Sequence, residues 1–269
     1  MNADKFIIYS DMDGSILSDW DKGPVVPEYN LRMLEEFRAD GGLFSVASGR
    51  LHRDIMSFFP EGMINAPVVC ANGSQIYDTC SGSVIYKCLL PEKFRREAAS
   101  YCRGREDVSI ITADENELYH VELEGGGDDG DGYIRNSISE EEFYSGDYTK
   151  ICYVLRDLSI MDELKNATAG FDSAPLIDCV DSSPVYLEVM KKGISKAGGI
   201  SRAMKYAGAE DRILVCLGDF YNDAEMLRDA DISACPDTSP ADIKEMCRFV
   251  CCSNNEGAVG DLIKRLREL

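Results

Sequence analysis

Near its N-terminus the chain reads Phe6-Ile-Ile-Tyr-Ser-Asp11-Met-Asp13-Gly14-Ser15, a short apolar run that ends in two carboxylates and a glycine. Alternate side chains of an extended strand point to the same side, so Asp11 and Asp13 are predicted to face one site. Gly14 allows the backbone to turn sharply there and to approach a ligand closely. Crowded carboxylates repel each other unless a proton or a cation lies between them, and proteins often hold Mg²⁺ with one or two carboxylates plus phosphate oxygens. The segment therefore predicts a strand that ends in a magnesium site.

The composition is that of a soluble globular protein from a reducing compartment. The 269 residues are enough for two domains, and 45% of them are apolar. A formal net charge of −20 argues against nucleic acid or an anionic membrane as a partner. The cysteines number 11, an odd count, and we find neither a signal peptide nor an apolar run of transmembrane length. We therefore expect reduced thiols and a cytoplasmic location.

Strand-like and helix-like segments alternate in the first and last parts of the chain. Pro27 is predicted to begin a helix that ends at Gly41, and Ile200 lies on the apolar face of a later helix. This alternation predicts an α/β fold with a Rossmann-like, doubly wound parallel sheet. The segments predicted to be its strands are residues 6–10, 43–47, 66–70, 185–189, 212–217, 232–235 and 249–252.

The middle of the chain has a different pattern, which predicts an inserted α+β cap domain. The expected domains are a discontinuous core of residues 1–81 and 185–269, and an insertion of residues 82–184. The predicted strands of the insertion are residues 83–89, 108–112, 118–123, 151–155 and 176–179, and its predicted helices are residues 91–102 and 160–170.

The insertion contains Gly125-Gly-Gly-Asp-Asp-Gly-Asp-Gly132, which formally matches the glycine spacing of a dinucleotide-binding loop. No apolar helix follows it, and Asp128, Asp129 and Asp131 would repel a pyrophosphate. We interpret this segment as a mobile loop rather than a nucleotide or calcium site. Its role is left open.

Polar side chains follow several of the predicted core strands. The carboxyl ends of parallel strands meet at one edge of a sheet, so these groups are expected to converge. A carboxylate there can attack phosphorus, and a second carboxylate can protonate the leaving oxygen and then deprotonate water. A hydroxyl and an ammonium group can orient the phosphoryl oxygens. The converging residues are Asp11, Asp13, Ser48, Asn72, Lys196, Asp219 and Asp223.

Several of these residues also have a structural interpretation when taken singly. Ser48 is a suitable helix N-cap, and Asp219 and Asp223 can complement a helix dipole. A lone Lys196 is usually a surface residue, and Asn72 with its following glycine is more typical of a turn than of a site. Trp20 and His52 are interpreted as a partly buried tryptophan and a surface histidine rather than as substrate contacts.

The order of four motifs resembles that of haloacid-dehalogenase (HAD) superfamily phosphatases. They are Asp11-Met-Asp13-Gly-Ser15, Ser48-Gly-Arg50, Lys192-Gly-Ile-Ser-Lys196 and Gly218-Asp219-Phe-Tyr-Asn222-Asp223. The tail Ser253-Asn-Asn-Glu-Gly257-Ala-Val is similar to that of the Cof-like branch, which carries a large type-two (IIB) cap. The similarity covers the core, and the insertion matches the cap in position and size.

The resemblance implies a role for each matching residue. Asp11 would be the nucleophile and a metal ligand, and Asp13 the general acid/base that also offers its backbone carbonyl to the metal. Asp219 would be the other metal carboxylate. Ser48 and Lys196 would hold the phosphoryl group, Asp223 would support the metal site, and Asn222 would lie near the substrate. The family usually has threonine where Ser15 stands, but the hydroxyl is kept.

These patterns favour a Mg²⁺-dependent phosphatase that acts on a small phosphorylated metabolite, by resemblance a sugar phosphate or a related compound. The cap is expected to close over the site and to set the specificity. Two alternatives are left open at this point. A phosphomutase would return the phosphoryl group to another hydroxyl of the substrate, and a non-catalytic module would only bind a phosphometabolite. The sequence leaves the oligomeric state, the substrate and the pathway open.

Overall fold

The computed structural model describes residues 3–18, 23–127 and 136–269, with the backbone alone at residues 182 and 183. The predictions for Trp20 and for residues 128–132 of the glycine- and aspartate-rich segment therefore lie outside the described residues. The chain divides into two compact units, Met1–Tyr86 with Ser195–Leu269, and Lys87–Ile194. The sequence had predicted the boundaries at residues 81/82 and 184/185. The assignment of a catalytic core and a cap stays a prediction.

The described strands and helices alternate along the chain as follows. The strands are β1 (Phe6–Ser10), β2 (Leu43–Val46), β3 (Val68–Cys70), β4 (Gln75–Asp78), β5 (Ser83–Lys87), β6 (Val108–Ala113), β7 (Leu118–Glu122), β8 (Asn136–Ser139), β9 (Lys150–Leu155), β10 (Ile177–Ser183), β11 (Tyr186–Lys191), β12 (Ile213–Leu217), β13 (Ile232–Pro236) and β14 (Phe249–Cys251). The helices are α1 (Glu28–Ala39), α2 (His52–Ser57), α3 (Glu92–Cys102), α4 (Glu140–Ser145), α5 (Met161–Ala169), α6 (Lys196–Ala207), α7 (Ala224–Asp229), α8 (Ala241–Met246) and α9 (Ala258–Leu266).

The first unit is built on a five-stranded parallel sheet in the order β14-β13-β12-β1-β2. The side chains of β1 alternate between two apolar clusters. Phe6 and Ile8 pack in the cluster that contains α1 and α9, and Ile7 and Tyr9 pack in the cluster that contains α6. Burial on both faces explains why β1 reads as a continuous apolar run. The predicted doubly wound α/β fold is confirmed.

The register of the central strands brings their carboxyl ends level. Ser10, the last residue of β1, pairs with Leu217 at the end of β12 and with Val46 at the end of β2. The N–H of Asp11 extends this ladder by donating to the carbonyl oxygen of Leu217 at 2.8 Å. The loops that follow β1, β2 and β12 therefore leave the sheet along one edge, where open α/β sheets bind their ligands.

Two predicted strands of the core sheet are corrected by the structure. Strand β3 pairs antiparallel with β4 in a separate three-stranded sheet with β5, and a single parallel bridge between Ala47 and Val69 links it to the end of β2. Strand β11, expected to resume the core, pairs antiparallel with β9 and β10 in the second unit. Apolar segments of five or six residues are compatible with either sheet, and their periodicity does not identify the strand with which they pair.

The second unit has a six-stranded mixed sheet in the order β10-β11-β9-β6-β7-β8. Helices α3, α4 and α5 contribute Phe94, Phe143 and Leu164 to one apolar cluster with Tyr153 and Leu187 of the sheet. This arrangement is the α+β architecture expected of the insertion. No helix within the described part of the chain combines the length and hydrophobicity needed to span a membrane.

Candidate active site

The turn that follows β1 brings Asp11 against the loop that follows β12. Asp11 is 6% exposed, and Gly14 has a φ of +76°. A Cβ atom on Gly14 would lie 2.4 Å from Oδ2 of Asp219, which is far inside van der Waals contact. Glycine is therefore required for two reasons, since it adopts this backbone conformation without strain and leaves room for the carboxylate.

The loop after β12 is organised by the buried carboxylate of Asp223. Its Oδ2 atom accepts hydrogen bonds from the backbone N–H groups of Asp219 at 2.9 Å and Phe220 at 3.3 Å. The hydroxyl of Ser15 donates to Oδ1 of Asp219 at 2.9 Å. These bonds hold Asp219 in place from both loops. The hydroxyl of Ser15, where the HAD superfamily usually has threonine, thus has a definite partner.

Lys196 joins the two loops from the first turn of α6. Its Nζ atom donates to Oδ1 of Asp11 and to Oδ1 of Asp223, at 2.6 Å in each case, and its side chain is only 2% exposed. Burial by itself lowers the pKa of the Lys196 ammonium, but the charges of Asp11 and Asp223 raise it overall. The lysine is therefore a charged internal bridge and not a surface residue.

The carboxylates of Asp11, Asp219 and Asp223 form a cluster in which one oxygen atom from each residue lies within 4.8 Å of the other two. Burial first, and then the charge of Asp223, raises the pKa of Asp11 well above its usual range. The same two causes raise the pKa of Asp219 to about 7. Three carboxylates against one ammonium leave an excess of negative charge. A set of hard oxygen donors with this imbalance fits a divalent cation such as Mg²⁺.

Asp13 lies apart from this cluster because its carboxylate binds Arg50. Nε of Arg50 donates to Oδ2 of Asp13 at 2.8 Å, and Nη2 donates to Oδ1 at 2.7 Å. Arg50 also binds Asp54, which lies four residues further along the chain, in α2. Arg50 belongs to the motif Ser48-Gly-Arg50, but the sequence pattern alone assigned it no role. The available signal was its position two residues after Ser48, directly behind another strand end.

Ser48 and Asn72 lie on adjoining loops at the same edge of the sheet. The N–H of Ser48 donates to the carbonyl oxygen of Val69 at 2.9 Å, and the N–H of Asn72 donates to that of Ser48 at 2.9 Å. Ser48 is 1% exposed, and its hydroxyl accepts a hydrogen bond from the N–H of Arg50 at 3.2 Å. Asn72 has a φ of +54°, which agrees with its interpretation as a turn residue.

Two other predicted residues have simpler positions. Asn222 is partly buried in the short turn Tyr221–Asp223 that precedes α7. His52, interpreted from the sequence as a surface histidine, is 8% exposed, and its ring stacks on that of Tyr77 with centroids 4.3 Å apart. That interpretation is wrong because an aromatic partner from β4 covers the imidazole.

Comparison with known proteins defines the class. Residues 8–263 match the haloacid dehalogenase-like hydrolase family, and the chain belongs to that family. The phosphatase YbjI of Escherichia coli K12, named for 5-amino-6-(5-phospho-D-ribitylamino)uracil, is 25% identical over an alignment of 269 positions, which covers 97% of this chain and 95% of the relative. The putative phosphatase YkrA of Bacillus subtilis 168 is 27% identical over 269 residues, with 98% of each chain covered.

Solved structures agree with this fold. The HAD subclass IIB sugar phosphatase BT4131 has a TM-score of 0.81 at 20% identity, with 98% of this chain and 99% of that chain covered. A putative HAD/COF-like hydrolase from Plasmodium vivax has a TM-score of 0.80 at 24% identity, with 99% and 96% covered. The predicted Cof-like HAD membership is confirmed. The chain is an enzyme, a HAD-type phosphatase.

Proposed function

We propose that this protein is a Mg²⁺-dependent phosphatase that hydrolyses small phosphomonoesters through a phosphoryl group carried on Asp11. The observation that supports this most is the buried Lys196, which binds Asp11 and Asp223 at 2.6 Å beside Asp219. A merely structural ion pair needs no third carboxylate at the same point. An excess of buried negative charge is costly unless a cation offsets it.

The metal site would draw on residues of the first unit only. Asp11 and Asp219 would offer carboxylate oxygens, Asp13 its backbone carbonyl, and Asp223 would support them. When bound, Mg²⁺ supplies the positive charge that screens the nucleophile from the phosphate oxygens.

The chain's own groups account for both chemical steps. A carboxylate oxygen of Asp11 attacks phosphorus, a new P–O bond forms, and the bond from phosphorus to the leaving oxygen breaks. Asp13 gives a proton to that oxygen, then takes one from the water that attacks the phospho-Asp11 and releases phosphate. The side chain of Asp13 is 43% exposed, so solvent reaches its carboxylate. Ser48 and Lys196 hold the phosphoryl oxygens, and Asn222 lies towards the substrate.

For the substrate we propose small phosphorylated sugars or sugar-like metabolites. One relative is named for a phosphorylated ribityl compound, and a structural neighbour is a sugar phosphatase. We assign the catalytic role to the first unit and the role of cap to the second, Lys87–Ile194.

The test is phosphate release from a broad panel of phosphomonoesters, with Mg²⁺ or with EDTA. Wild type is compared with Asp11→Asn, and with Asp211→Asn as a control at an exposed carboxylate. We expect release that needs Mg²⁺, is abolished in Asp11→Asn and is kept in Asp211→Asn, with both variants folded. Undiminished activity of Asp11→Asn would refute the proposal. Conversion of a hexose 1-phosphate to the 6-phosphate without release of phosphate would identify a phosphomutase instead.

A further inference from the structure

The turn Ala71-Asn72-Gly73, which follows β3, has an unusual backbone conformation. Ala71 has a φ of +48° and Asn72 has a φ of +54°, and among the residues that the structure describes these two alone combine a positive φ with a side chain. Asparagine adopts this conformation more readily than most residues, but alanine is strained in it. Strained backbone persists where the surrounding structure enforces it, and it is often found at functional sites. The contacts of this turn are therefore informative.

On one side the turn is bonded to the loop that follows β2. The N–H of Ala71 donates to the carbonyl oxygen of Arg50 at 3.0 Å, and the N–H of Asn72 donates to that of Ser48 at 2.9 Å. The carboxamide of Asn72 lies against Gly49, since a Cβ atom added there would lie 3.3 Å from its Oδ1 atom and 3.4 Å from its Nδ2 atom. Asn72 is 4% exposed. It therefore holds this loop through both its backbone and a buried side chain.

On its other side the turn contacts the start of α6. A Cβ atom on Gly73 would lie 2.1 Å from the carbonyl oxygen of Ser195 and 3.5 Å from the backbone nitrogen of Lys196. A Cβ atom on Gly199, in the first turn of the helix, would lie 3.0 Å from Cα of Gly73. The turn and the helix thus meet backbone to backbone. The turn fills the space between the loop that carries Ser48 and the helix that begins at Lys196.

These neighbours are the two residues proposed to hold the phosphoryl oxygens. Lys196 also donates to Oδ1 of Asp11 at 2.6 Å, so the position of this helix start bears directly on the proposed nucleophile. Ser48 has no such bond to Asp11 among the contacts of the described residues, and its backbone is held by the turn instead. The separation of Ser48 and Lys196 is therefore set through the turn.

We infer that Asn72 is a positioning residue of the phosphoryl site. Its carboxamide, packed on Gly49, keeps Ser48 at the distance from Lys196 that a bound phosphoryl group requires. The positive φ of Asn72 is what brings the carboxamide onto Gly49. This inference rests on the proposed phosphatase activity, and it gives Asn72 a role in addition to that of a turn residue.

Two substitutions separate the role of the carboxamide from that of the turn. Asn72→Gly removes the carboxamide and suits the backbone conformation, because glycine adopts a positive φ without strain. Asn72→Ala removes the carboxamide and leaves a strained residue in its place. A residue that served the turn alone would therefore tolerate glycine and not alanine, whereas a positioning carboxamide is lost in both variants. Ala71→Gly is the matched control, because it relieves strain in the same turn and keeps the carboxamide.

The test measures the binding of inorganic phosphate by titration calorimetry in Mg²⁺, together with kcat/KM for p-nitrophenyl phosphate. Asn72→Gly and Asn72→Ala should both weaken phosphate binding about three- to tenfold and lower kcat/KM about 10- to 100-fold. Ala71→Gly should keep both values of the wild type. Circular dichroism and urea unfolding should show all three variants folded.

Wild-type phosphate binding in Asn72→Gly would overturn the inference, because it would show that only the backbone conformation of the turn matters. An equal loss in Ala71→Gly, or loss of the fold in Asn72→Gly, would overturn it as well, since either would assign the effect to the turn as a whole. Failure of the proposed function would be seen in the wild type instead, as no release of phosphate from any ester of the panel. The calorimetric comparison of the variants would still report on Asn72 in that case.

Discussion

The replacement Gly14→Ala tests how the two loops of the site are fitted together. Alanine at this position has two separate costs. Its backbone would stay at a φ of +76°, a left-handed conformation that costs an L-residue about 1–2 kcal/mol. Its Cβ would also stand 2.4 Å from Oδ2 of Asp219, where ordinary contact begins near 3.4 Å. The carboxylate would therefore have to move by about 1 Å.

The second cost bears on catalysis. A shift of the Asp219 carboxylate disturbs the 2.9 Å hydrogen bond from Ser15 and the proposed metal site. A misplacement of about 1 Å in a catalytic group can cost about 100-fold in rate. Gly62→Ala is the matched control, because Gly62 has a φ of +73° and no atom within 4 Å of its ideal Cβ position. Gly62→Ala should therefore have only the conformational cost of its positive φ.

The assays are urea unfolding and Mg²⁺-dependent hydrolysis of p-nitrophenyl phosphate. Gly62→Ala should lose about 1–2 kcal/mol of unfolding free energy, and Gly14→Ala should lose more, because its Cβ also displaces the Asp219 carboxylate. Gly14→Ala should in addition lose about 100-fold in kcat/KM and need more Mg²⁺ for half-maximal rate, and Gly62→Ala should keep wild-type kinetics. Wild-type activity of Gly14→Ala, or an equal loss of activity in Gly62→Ala, would show that contact of residue 14 with Asp219 does not control catalysis.

Two further predictions concern the charged residues around the cluster. In EDTA, Lys196→Met should lower the unfolding free energy by about 3–5 kcal/mol, because it leaves buried carboxylates without their cation. Lys205→Met, at an exposed position of the same helix, should change it by less than about 0.5 kcal/mol. Equal stability of the two variants in urea unfolding would contradict this prediction. Arg50→Lys should lower kcat about 10- to 100-fold with little change in KM, because lysine cannot form the bidentate contact to Asp13. The control Arg53→Lys, at an exposed position, should change neither constant. A rise in KM alone would show that Arg50 binds substrate instead.

The convergence of the carboxylates was predictable from the sequence, whereas their detailed pairing was not. Asp11 and Asp219 each follow an apolar run of a parallel sheet, and the rule that such ends share an edge brings them together. The contact between Asp13 and Arg50 depends on side-chain torsions within two loops, which no periodicity records. The burial of Lys196 was likewise hidden, because a lysine at a helix start looks like a surface residue until its partners are known.

The errors in the fold have a similar origin. Strand β11 has the composition of a core strand, and only its antiparallel pairing with β9 and β10 assigns it to the second unit. Helix α4 was missed, although Ser139 and Glu142 have the spacing of a capping box and do form one in the structure. The capping-box spacing alone therefore indicated the start of a helix. Helix α4 is too short to show the apolar periodicity by which longer helices are found.

The most direct test of the proposed mechanism is to look for the phosphoryl group on Asp11. The protein is mixed with ³²P-labelled substrate and Mg²⁺, quenched in acid within milliseconds, and digested for peptide mapping. We expect label on the peptide that contains Asp11, its loss on treatment with hydroxylamine, and no label in Asp11→Asn. Steady turnover of the labelled substrate with no label on that peptide, or label on any other residue, would contradict it.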